Sequence, residues 1–193
     1  MTVRALVPLK RPGEAKSRLA GAMSDEDRRR LALAMAAHVL AVARACVDEV
    51  FLLTPEPISA FEGLPTLFDA AEGLNACLAA AVSGLPASAG DTLVVLHADL
   101  AALEAADVAA LVEAAAQGLA IAPDHRGQGV NAIAFRPPLD LRFCFGPASR
   151  LAFEAEAARL GVAPILVERP GLALDIDDAQ SLAHHRQRLA AVG

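Results

Sequence analysis

Short apolar segments alternate with longer stretches of helical pattern along most of the chain. Several short segments, such as TLVVL, are almost continuously apolar, which is typical of strands covered on both faces of a sheet. Seven segments have the length and composition of β-strands, at Val3–Leu9, Val50–Leu53, Thr66–Phe68, Thr92–Leu96, Leu119–Ala122, Ala132–Phe135 and Ile165–Val167.

Helical signals lie between most of these strands. Ser24 precedes three acidic residues, which indicates the N-cap of a long Ala/Leu-rich helix that ends near Cys46. Strands that alternate with helices predict a single α/β domain over residues 1–193, with a mostly parallel, doubly wound sheet and right-handed crossovers. Ligands bind such sheets beyond the carboxyl ends of the strands. Further helices are predicted at Asn75–Ser83, Asp107–Gln117, Ser149–Leu160 and Asp178–Ala191.

Composition narrows the function classes. The formal net charge is −6, which argues against a general nucleic-acid-binding surface. Neither a signal peptide nor a membrane span is predicted, so we expect a cytoplasmic protein. The Ala-rich helices could pack internally or form the face of a homodimer. The three cysteines are widely spaced and lack a CxxC pair, so we expect buried thiols and neither disulfides nor a zinc site, at Cys46, Cys77 and Cys144.

The loop after the first strand is unusually basic. VPLKRPGEAKSRLA, residues 7–20, carries Lys10, Arg11, Lys16 and Arg18 against one carboxylate. Cations at the carboxyl end of a strand can bind a polyphosphate, and a solvated basic loop is the alternative. The segment lacks the GxxxxGK[ST] and GxGxxG motifs, so neither a P-loop nor a dinucleotide fingerprint is present.

A second candidate segment is AEGLNACLAAA, residues 71–81. Gly73 permits a close approach of the backbone to a ligand. The side-chain amide of Asn75 can offer one acceptor and two donors to the edge of a base. The alternative for Asn75 is an ordinary helix N-cap.

Carboxylates form a third feature. Asp99 follows the TLVVL strand by three residues, where a carboxylate suits Mg²⁺. Asp175 and Asp177 alternate in GLALDIDDAQSL, so their side chains share one face and repel each other unless a cation is near. The alternatives are a helix cap or loop hydrogen bond for Asp99 and a solvated acidic turn for the pair. His97 is interpreted as a loop residue.

Two further segments, DHRGQGVNAIAF and FCFGPASR, complete the set. Two glycines in the first form a turn that leads to Asn131. In the second, Gly146 and Ser149 mark the opening turn of a helix, whose free N–H groups and dipole would favour a phosphate. Helix capping by Ser149 is the alternative. Together the loops supply what metal-assisted nucleotidyl transfer requires.

Six segments also resemble a known family. VPLKRPGEAKSRLA, EGLNACLAAA, ADL, GVNAIAFRPP, FGPASR and RPGLALDIDDAQSL occur in the order seen in the 2-phospholactate guanylyltransferases of coenzyme F420 biosynthesis. Some members of that family use phosphoenolpyruvate or 3-phosphoglycerate instead. The resemblance covers essentially the whole chain. It implies a nucleotidyltransferase fold of the nucleotide-diphospho-sugar transferase type, GTP as the donor, Mg²⁺ as the cofactor and diphosphate as the leaving group.

By position, the resemblance assigns metal binding to Asp99, Asp175 and Asp177, and binding of the acceptor's phosphate and carboxylate end to Gly146 and Ser149. Two departures from the family pattern affect the acceptor. Val130 replaces the threonine that usually precedes the Asn of the GxN segment, which leaves only a backbone amide there. HADLA, residues 97–101, replaces PADLP.

The predicted reaction is attack by the phosphate of a small phosphorylated carboxylic acid on the α-phosphorus of GTP. The alternatives are a cytidylyl or molybdopterin type of nucleotidyltransferase and a non-catalytic nucleotide-binding homologue. The predicted catalytic residues are Lys10, Lys16 and Asp99. Nucleotide binding is assigned to Lys10, Lys16, Arg18, Gly73 and Asn75, and acceptor binding to the Val130 amide, Asn131, Gly146 and Ser149.

Overall fold

Seven strands form one sheet in a computed structural model of the chain, which describes residues 1–11, 13, 16, 19–68, 73–86, 88–176 and 181–183. All seven predicted strands are present, with bounds within two residues of those predicted. The strands are β1 (Val3–Pro8), β2 (Glu49–Thr54), β3 (Thr66–Phe68), β4 (Thr92–Leu96), β5 (Leu119–Pro123), β6 (Val130–Phe135) and β7 (Pro164–Leu166).

The sheet is mostly parallel, as predicted. Its strand order is β3-β2-β1-β4-β6-β5-β7, and β6 runs antiparallel to both of its neighbours. Only a short turn joins β5 to β6, and a parallel pair would need a crossover of about a dozen residues or more. The reversed direction places the first residues of β6 at the same edge of the sheet as the carboxyl end of β4, where Leu96 pairs with Ala132.

Helices cover both faces of the sheet. The Ser24 N-cap is confirmed, because its side chain accepts a hydrogen bond from the backbone of Asp27 at 3.2 Å. The helix predicted at Asp107–Gln117 begins and ends earlier, because a capping box of Glu104 and Asp107 sets its start. The helices are α1 (Asp25–Cys46), α2 (Leu74–Gly84), α3 (Ala105–Ala114), α4 (Ser149–Leu160) and the unpredicted short α5 (Pro170–Ala173). Most of the helix predicted at Asp178–Ala191 lies outside the described residues.

Each face of the sheet has its own apolar core. Ala5 and Val7 of β1 pack with α1 and α3 in a core rich in alanine. Leu6 between them points to the opposite face, where it packs with a core that contains Phe135 and Phe153. This alternation follows from the two-residue period of a strand. The sheet is therefore buried on both sides, which explains why its strands are continuously apolar.

Two observations bear on the composition-based expectations. Among the described helices, none combines the length and the apolar character that crossing a membrane requires. Cys77 is buried as predicted, but Cys46 and Cys144 are partly exposed because one ends α1 and the other lies in an irregular segment. Burial still raises the pKa of both thiols, so neither is activated for nucleophilic chemistry.

Candidate active site

Three chain segments meet at one rim of the sheet. β4 lies between β1 and β6, so the loops after β1 and β4 are neighbours of the start of β6. The backbone N–H of His97, just after β4, donates to the carbonyl of Asn131 at 3.0 Å. The structure therefore brings the predicted phosphate-binding, metal-binding and acceptor-binding loops to the same rim.

Lys16 and Asp99 form an ion pair at this rim. The Lys16 ammonium donates to Asp99 Oδ2 at 2.5 Å, and the two side chains are 7% and 22% exposed. Lys16 has a positive φ of 59°, which costs backbone energy and is common at functional sites. Burial acts to raise the pKa of Asp99, but the charges of Lys16 and His97 hold it below its ordinary value. The carboxylate is thus ionised at neutral pH.

The other oxygen of Asp99 sets this pair apart. Among the described residues, Asp99 Oδ1 is buried and accepts no hydrogen bond. A buried carboxylate oxygen without a donor is costly, so this oxygen, which has none among the described residues, suits a bound cation. Carboxylate oxygens are the donors that Mg²⁺ prefers, and the site fits that ion.

Asn131 ties a second acidic segment to the same rim. It is 4% exposed, and its side-chain NH₂ group lies 3.0 Å from the carbonyl of Leu172, 3.3 Å from that of Ala173 and 3.3 Å from Asp175 Oδ1. The carbonyl of Asn131 also accepts from the backbone N–H of His97, two residues before Asp99. The Asp175 carboxylate therefore lies at the same rim of the sheet as Asp99. His125 Nδ1 is 3.6 Å from the same Asp175 oxygen.

The position of α5 sets where Asp175 emerges. Arg169 donates to buried Asp107 at 2.7 Å, which anchors α5 to the start of α3. A Cβ on Gly171 would lie 1.9 Å from Asp107 Oδ2 and 2.6 Å from the carbonyl of Ala102, so only glycine allows this close approach. Sequence reasoning missed these residues. The Pro-Gly pair of RPGLALD signals the turn, but nothing in the sequence indicates its contact with Asp107.

The segments assigned to guanine and to the acceptor phosphate also meet. α2 begins at Leu74 with Gly73 as its N-cap at φ 87°, so the N-cap alternative for Asn75 is wrong. The Asn75 side chain instead donates to the carbonyl of Phe145 and accepts from its N–H, both at 2.9 Å. Phe145 directly precedes Gly146 in the predicted acceptor loop.

The start of α4 differs from the simple cap that the sequence allowed. Its N-cap is Ala148 in the left-handed conformation, with φ 56°, and Ser149 is the first helical residue. Because Ala148 is the N-cap, the capping alternative for Ser149 is wrong, and Ser149 is 2% exposed. The N–H groups of Ser149 and Arg150 donate within the protein, to Gly146 and Gln128. The helix start thus keeps fewer free donors for a phosphate than expected.

Comparison with known proteins decides the family. The family described as "Guanylyl transferase CofC like" matches residues 3–185. The chain belongs to this family. Proteins named phosphoenolpyruvate guanylyltransferase share 36% identity in Chloroflexus aurantiacus, over 96% of this chain and 95% of that one, and 38% in Rubrobacter xylanophilus, over 100% and 96%. The predicted family and the predicted guanylyl transfer are confirmed.

Solved structures place this guanylyltransferase in a wider fold class. A Desulfovibrio desulfuricans protein assigned to the nucleotide-diphospho-sugar transferases aligns with a TM-score of 0.76 at 14% identity, covering 94% of this chain and 85% of that one. A 4-diphosphocytidyl-2C-methyl-D-erythritol synthase aligns with a TM-score of 0.66 at 18% identity, covering 97% and 98%. Likeness at such low identity shows the fold alone, and the predicted fold type is confirmed.

The remaining predicted site residues of the guanylyltransferase are less informative. Lys10 is exposed just after β1, and Val130 is 3% exposed with its side chain in the phenylalanine-rich core. Arg18 and Asp177 lie outside the described residues. Within the described part of the chain no three acidic, His or Cys side chains form a metal-binding group. The geometry therefore supplies two acids, Asp99 and Asp175, at one rim with a buried cation.

Proposed function

We propose that this guanylyltransferase transfers GMP from GTP to the phosphate of phosphoenolpyruvate and releases diphosphate, with Mg²⁺ as its cofactor, in the cytoplasm and as a step of coenzyme F420 biosynthesis. The observation that carries the metal-assisted reaction is the buried, ionised Asp99 carboxylate, which has one oxygen on Lys16 and the other without a donor among the described residues. The choice of phosphoenolpyruvate is supported by the names of the full-length relatives.

Asp99 and Asp175 would hold Mg²⁺, and we expect Asp177 to join them. The ion would supply positive charge that offsets the repulsion between GTP and the acceptor's phosphate. The acceptor's phosphate is already an anion, so no side chain has to remove a proton from it. The protein's task is then to position two anionic molecules and to neutralise their repulsion.

The basic loop is assigned to the triphosphate. Lys16 is held in the site by Asp99, and a nucleotide phosphate within its reach would share that ammonium group. The exposed side chain of Lys10, at the end of β1, would contact the phosphates, and Arg18 would add positive charge. Gly73 has open space where a Cβ would project, which suits a close approach of guanine.

The acceptor is assigned to the start of β6 and the turn before α4. We assign the acceptor's phosphate and carboxylate to the Val130 amide, Asn131, Gly146 and Ser149, and the Asn131 side chain also donates to Asp175. Because Val130 offers no hydroxyl, the acceptor gains at most a backbone hydrogen bond at this residue. A planar enol acid suits such a site better than an acceptor with a further hydroxyl that needs a partner.

The test is to incubate purified protein with GTP, MgCl₂ and, in parallel, phosphoenolpyruvate, 2-phospholactate or 3-phosphoglycerate. Mass detection of the guanylylated acid and a diphosphate assay follow each reaction. We expect product with phosphoenolpyruvate and none after chelation of Mg²⁺. A preference for CTP over GTP would contradict the proposed donor. Binding of GTP without diphosphate release for any acceptor would instead support a non-catalytic homologue.

A further inference from the structure

Phe145 lies where three loops of the candidate site converge. Its ring is 4.9 Å from the ring of His97, which follows β4 two residues before Asp99. Its backbone pairs with Asn75 in the first turn of α2. The predicted acceptor turn, residues 146–149, follows it directly along the chain. A shift of Phe145 would therefore move the acceptor turn relative to the nucleotide and metal loops.

The pairing with Asn75 fixes this residue in two directions. One amide group satisfies both the N–H and the C=O of Phe145 at 2.9 Å, as a neighbouring strand would. Phe145 is 8% exposed, and its ring packs edge-on against that of Phe153 of α4, with the ring centroids 5.0 Å apart. Backbone and side chain are thus held by different elements, α2 and α4.

The acceptor turn needs such support. The segment between β6 and α4 has no regular hydrogen bonding, and Ala148 within it adopts a left-handed conformation. Non-glycine residues keep that conformation only where the surroundings enforce it. Glu156 of α4 holds the earlier part of the segment by accepting from the backbone N–H of Arg142 at 2.7 Å. Asn75 holds the end of the segment in the same way, by binding the backbone of Phe145 immediately before the turn.

We infer that Asn75 is a positioning residue of the acceptor site, in place of the guanine contact that the sequence suggests. It acts through Phe145, and it couples the start of α2 to the turn at residues 146–149. This inference rests on the proposed function, because it assumes that this turn binds the acceptor. Loss of the Asn75 amide would loosen the turn and weaken acceptor binding, while the nucleotide would still meet Gly73 and the basic loop.

The experiment compares the wild-type protein with Asn75→Ala and Asn75→Asp, and with Ser83→Ala as a matched control on the same helix. The Ser83 hydroxyl is exposed and donates to the carbonyl of Ala79 one turn back in α2, which is its one side-chain hydrogen bond among the described residues. Asn75→Asp keeps an acceptor for the Phe145 N–H but sets an oxygen against its carbonyl, so it should not rescue. Steady-state kinetics give separate KM values for GTP and phosphoenolpyruvate, and amide hydrogen exchange follows Phe145 in the unliganded protein.

We expect both Asn75 variants to raise the KM for phosphoenolpyruvate about tenfold, the effect of losing about one hydrogen bond's worth of binding. The KM for GTP should stay within about twofold, and the Phe145 amide should exchange faster. Ser83→Ala should change none of these.

Three results would overturn the inference. A raised KM for GTP with relaxed discrimination against ATP, and an unchanged acceptor KM, would make Asn75 a guanine-reading residue. The two hydrogen bonds between the Asn75 side chain and the Phe145 backbone form what we call the clamp. Unchanged exchange at Phe145 would show that the clamp has no effect in solution. Faster exchange with both KM values unchanged would make the clamp merely structural. A wild-type protein that makes no product overturns the proposed function instead, and the exchange measurement still decides whether the clamp exists.

Discussion

Asp91 and Asp99 lie at opposite ends of β4, and each pairs with a cation that comes from β1 or its following loop. Asp91 precedes the strand and accepts from Arg4 at 2.8 Å, whereas Asp99 follows the strand and accepts from Lys16 at 2.5 Å. The side chains of both pairs are largely buried. The same strand therefore offers two ion pairs of similar composition, and they differ in how the carboxylates are satisfied.

Asp91 has a donor on each oxygen. Oδ1 accepts from the N–H of Thr2 at 2.8 Å, and Oδ2 accepts from the N–H of Ser88 at 3.0 Å as well as from Arg4. These hydrogen bonds lower the pKa of Asp91 to about 2, and the one from Ser88 has the largest effect on the pKa. Both oxygens of Asp91 therefore have partners within the protein. This pair fastens the chain start and the 88–91 turn to the sheet.

Among the described residues, Asp99 has a hydrogen-bond donor on one oxygen only, because Lys16 binds Oδ2 and Oδ1 accepts no hydrogen bond. Burial opposes its ionisation, and the charges of Lys16 and His97 favour it. The carboxylate at the start of β4 thus has hydrogen-bond donors on both oxygens. The carboxylate beyond its carboxyl end, where ligands bind such sheets, has a donor on one oxygen among the described residues. Both pairs join an Asp to a basic residue, so residue type does not distinguish them. The number of hydrogen bonds on the carboxylate distinguishes the structural ion pair from the candidate site.

The largest effect should come from Asp99→Asn. Replacing the carboxylate by an amide removes a negative charge from the cation site, and loss of a single preorganised charge or donor costs about 10²–10³-fold in turnover. We expect diphosphate release from GTP and phosphoenolpyruvate to fall by that factor, while the thermal unfolding midpoint stays close to that of the wild type.

Asp91→Asn is the matched control at the other end of β4. It weakens the contact with Arg4 and should lower the unfolding midpoint while kcat and KM stay at wild-type values. If Asp99→Asn were fully active and Asp91→Asn inactive, the assignment of the two ends would be reversed.

Asn131 provides a second, smaller effect. Asn131→Ser should raise the Mg²⁺ concentration for half-maximal activity about 10–100-fold, as is usual when the partner of a metal ligand is lost, because the 172–175 segment loses its tie to β6. Asn131→Asp should be worse, since it sets a carboxylate against two carbonyls and Asp175. Titration of diphosphate release with MgCl₂ measures both. An unchanged Mg²⁺ requirement in both variants would detach Asp175 from the site.

Gly171→Ala tests whether α5, which precedes Asp175, is packed rigidly against the start of α3. The added Cβ would overlap Asp107 Oδ2, so α5 or the start of α3 must shift at a cost of about 1–3 kcal/mol in unfolding free energy. Urea unfolding measures the loss. Gly84→Ala at the end of α2 is the control, because a Cβ there would project into open space and away from other elements among the described residues. Equal stability of the two variants would show that α5 packs more loosely than the structure indicates.

The strands and most helices could be predicted because burial leaves a direct record in the sequence. TLVVL is apolar since both faces of β4 are covered, and Ser24 with its acidic neighbours marks a helix start by local chemistry. The direction of β6 leaves no such record. An apolar strand reads the same in either direction, and only the shortness of the turn before it reveals the antiparallel pairing.

The candidate site was predictable in its residue types but not in its contacts. Asp99 is singled out by its place after β4, Asp175 by its alternation with Asp177, and both by the family resemblance. The partners of Asn75 and Asn131 lie 70 and 41 to 44 residues away, and they are mostly backbone groups. Backbone N–H and C=O groups are the same at every residue, so no sequence pattern can show which ones a side-chain amide will meet.

Acid should reveal the smallest difference between the two ends of β4. Because the pKa of Asp91 falls from 3.8 to about 2 on folding, its stabilising contribution is present above about pH 4 and is lost as the pH falls toward 2. The urea midpoint of the wild type should therefore drop further between pH 6 and pH 3 than that of Asp91→Asn, which lacks the titrating group. Parallel curves for the two proteins would mean that the Asp91 carboxyl titrates alike in the folded and unfolded states. Its hydrogen bonds would then favour the charged form no more than water does, and the contrast with Asp99 would lose its energetic basis.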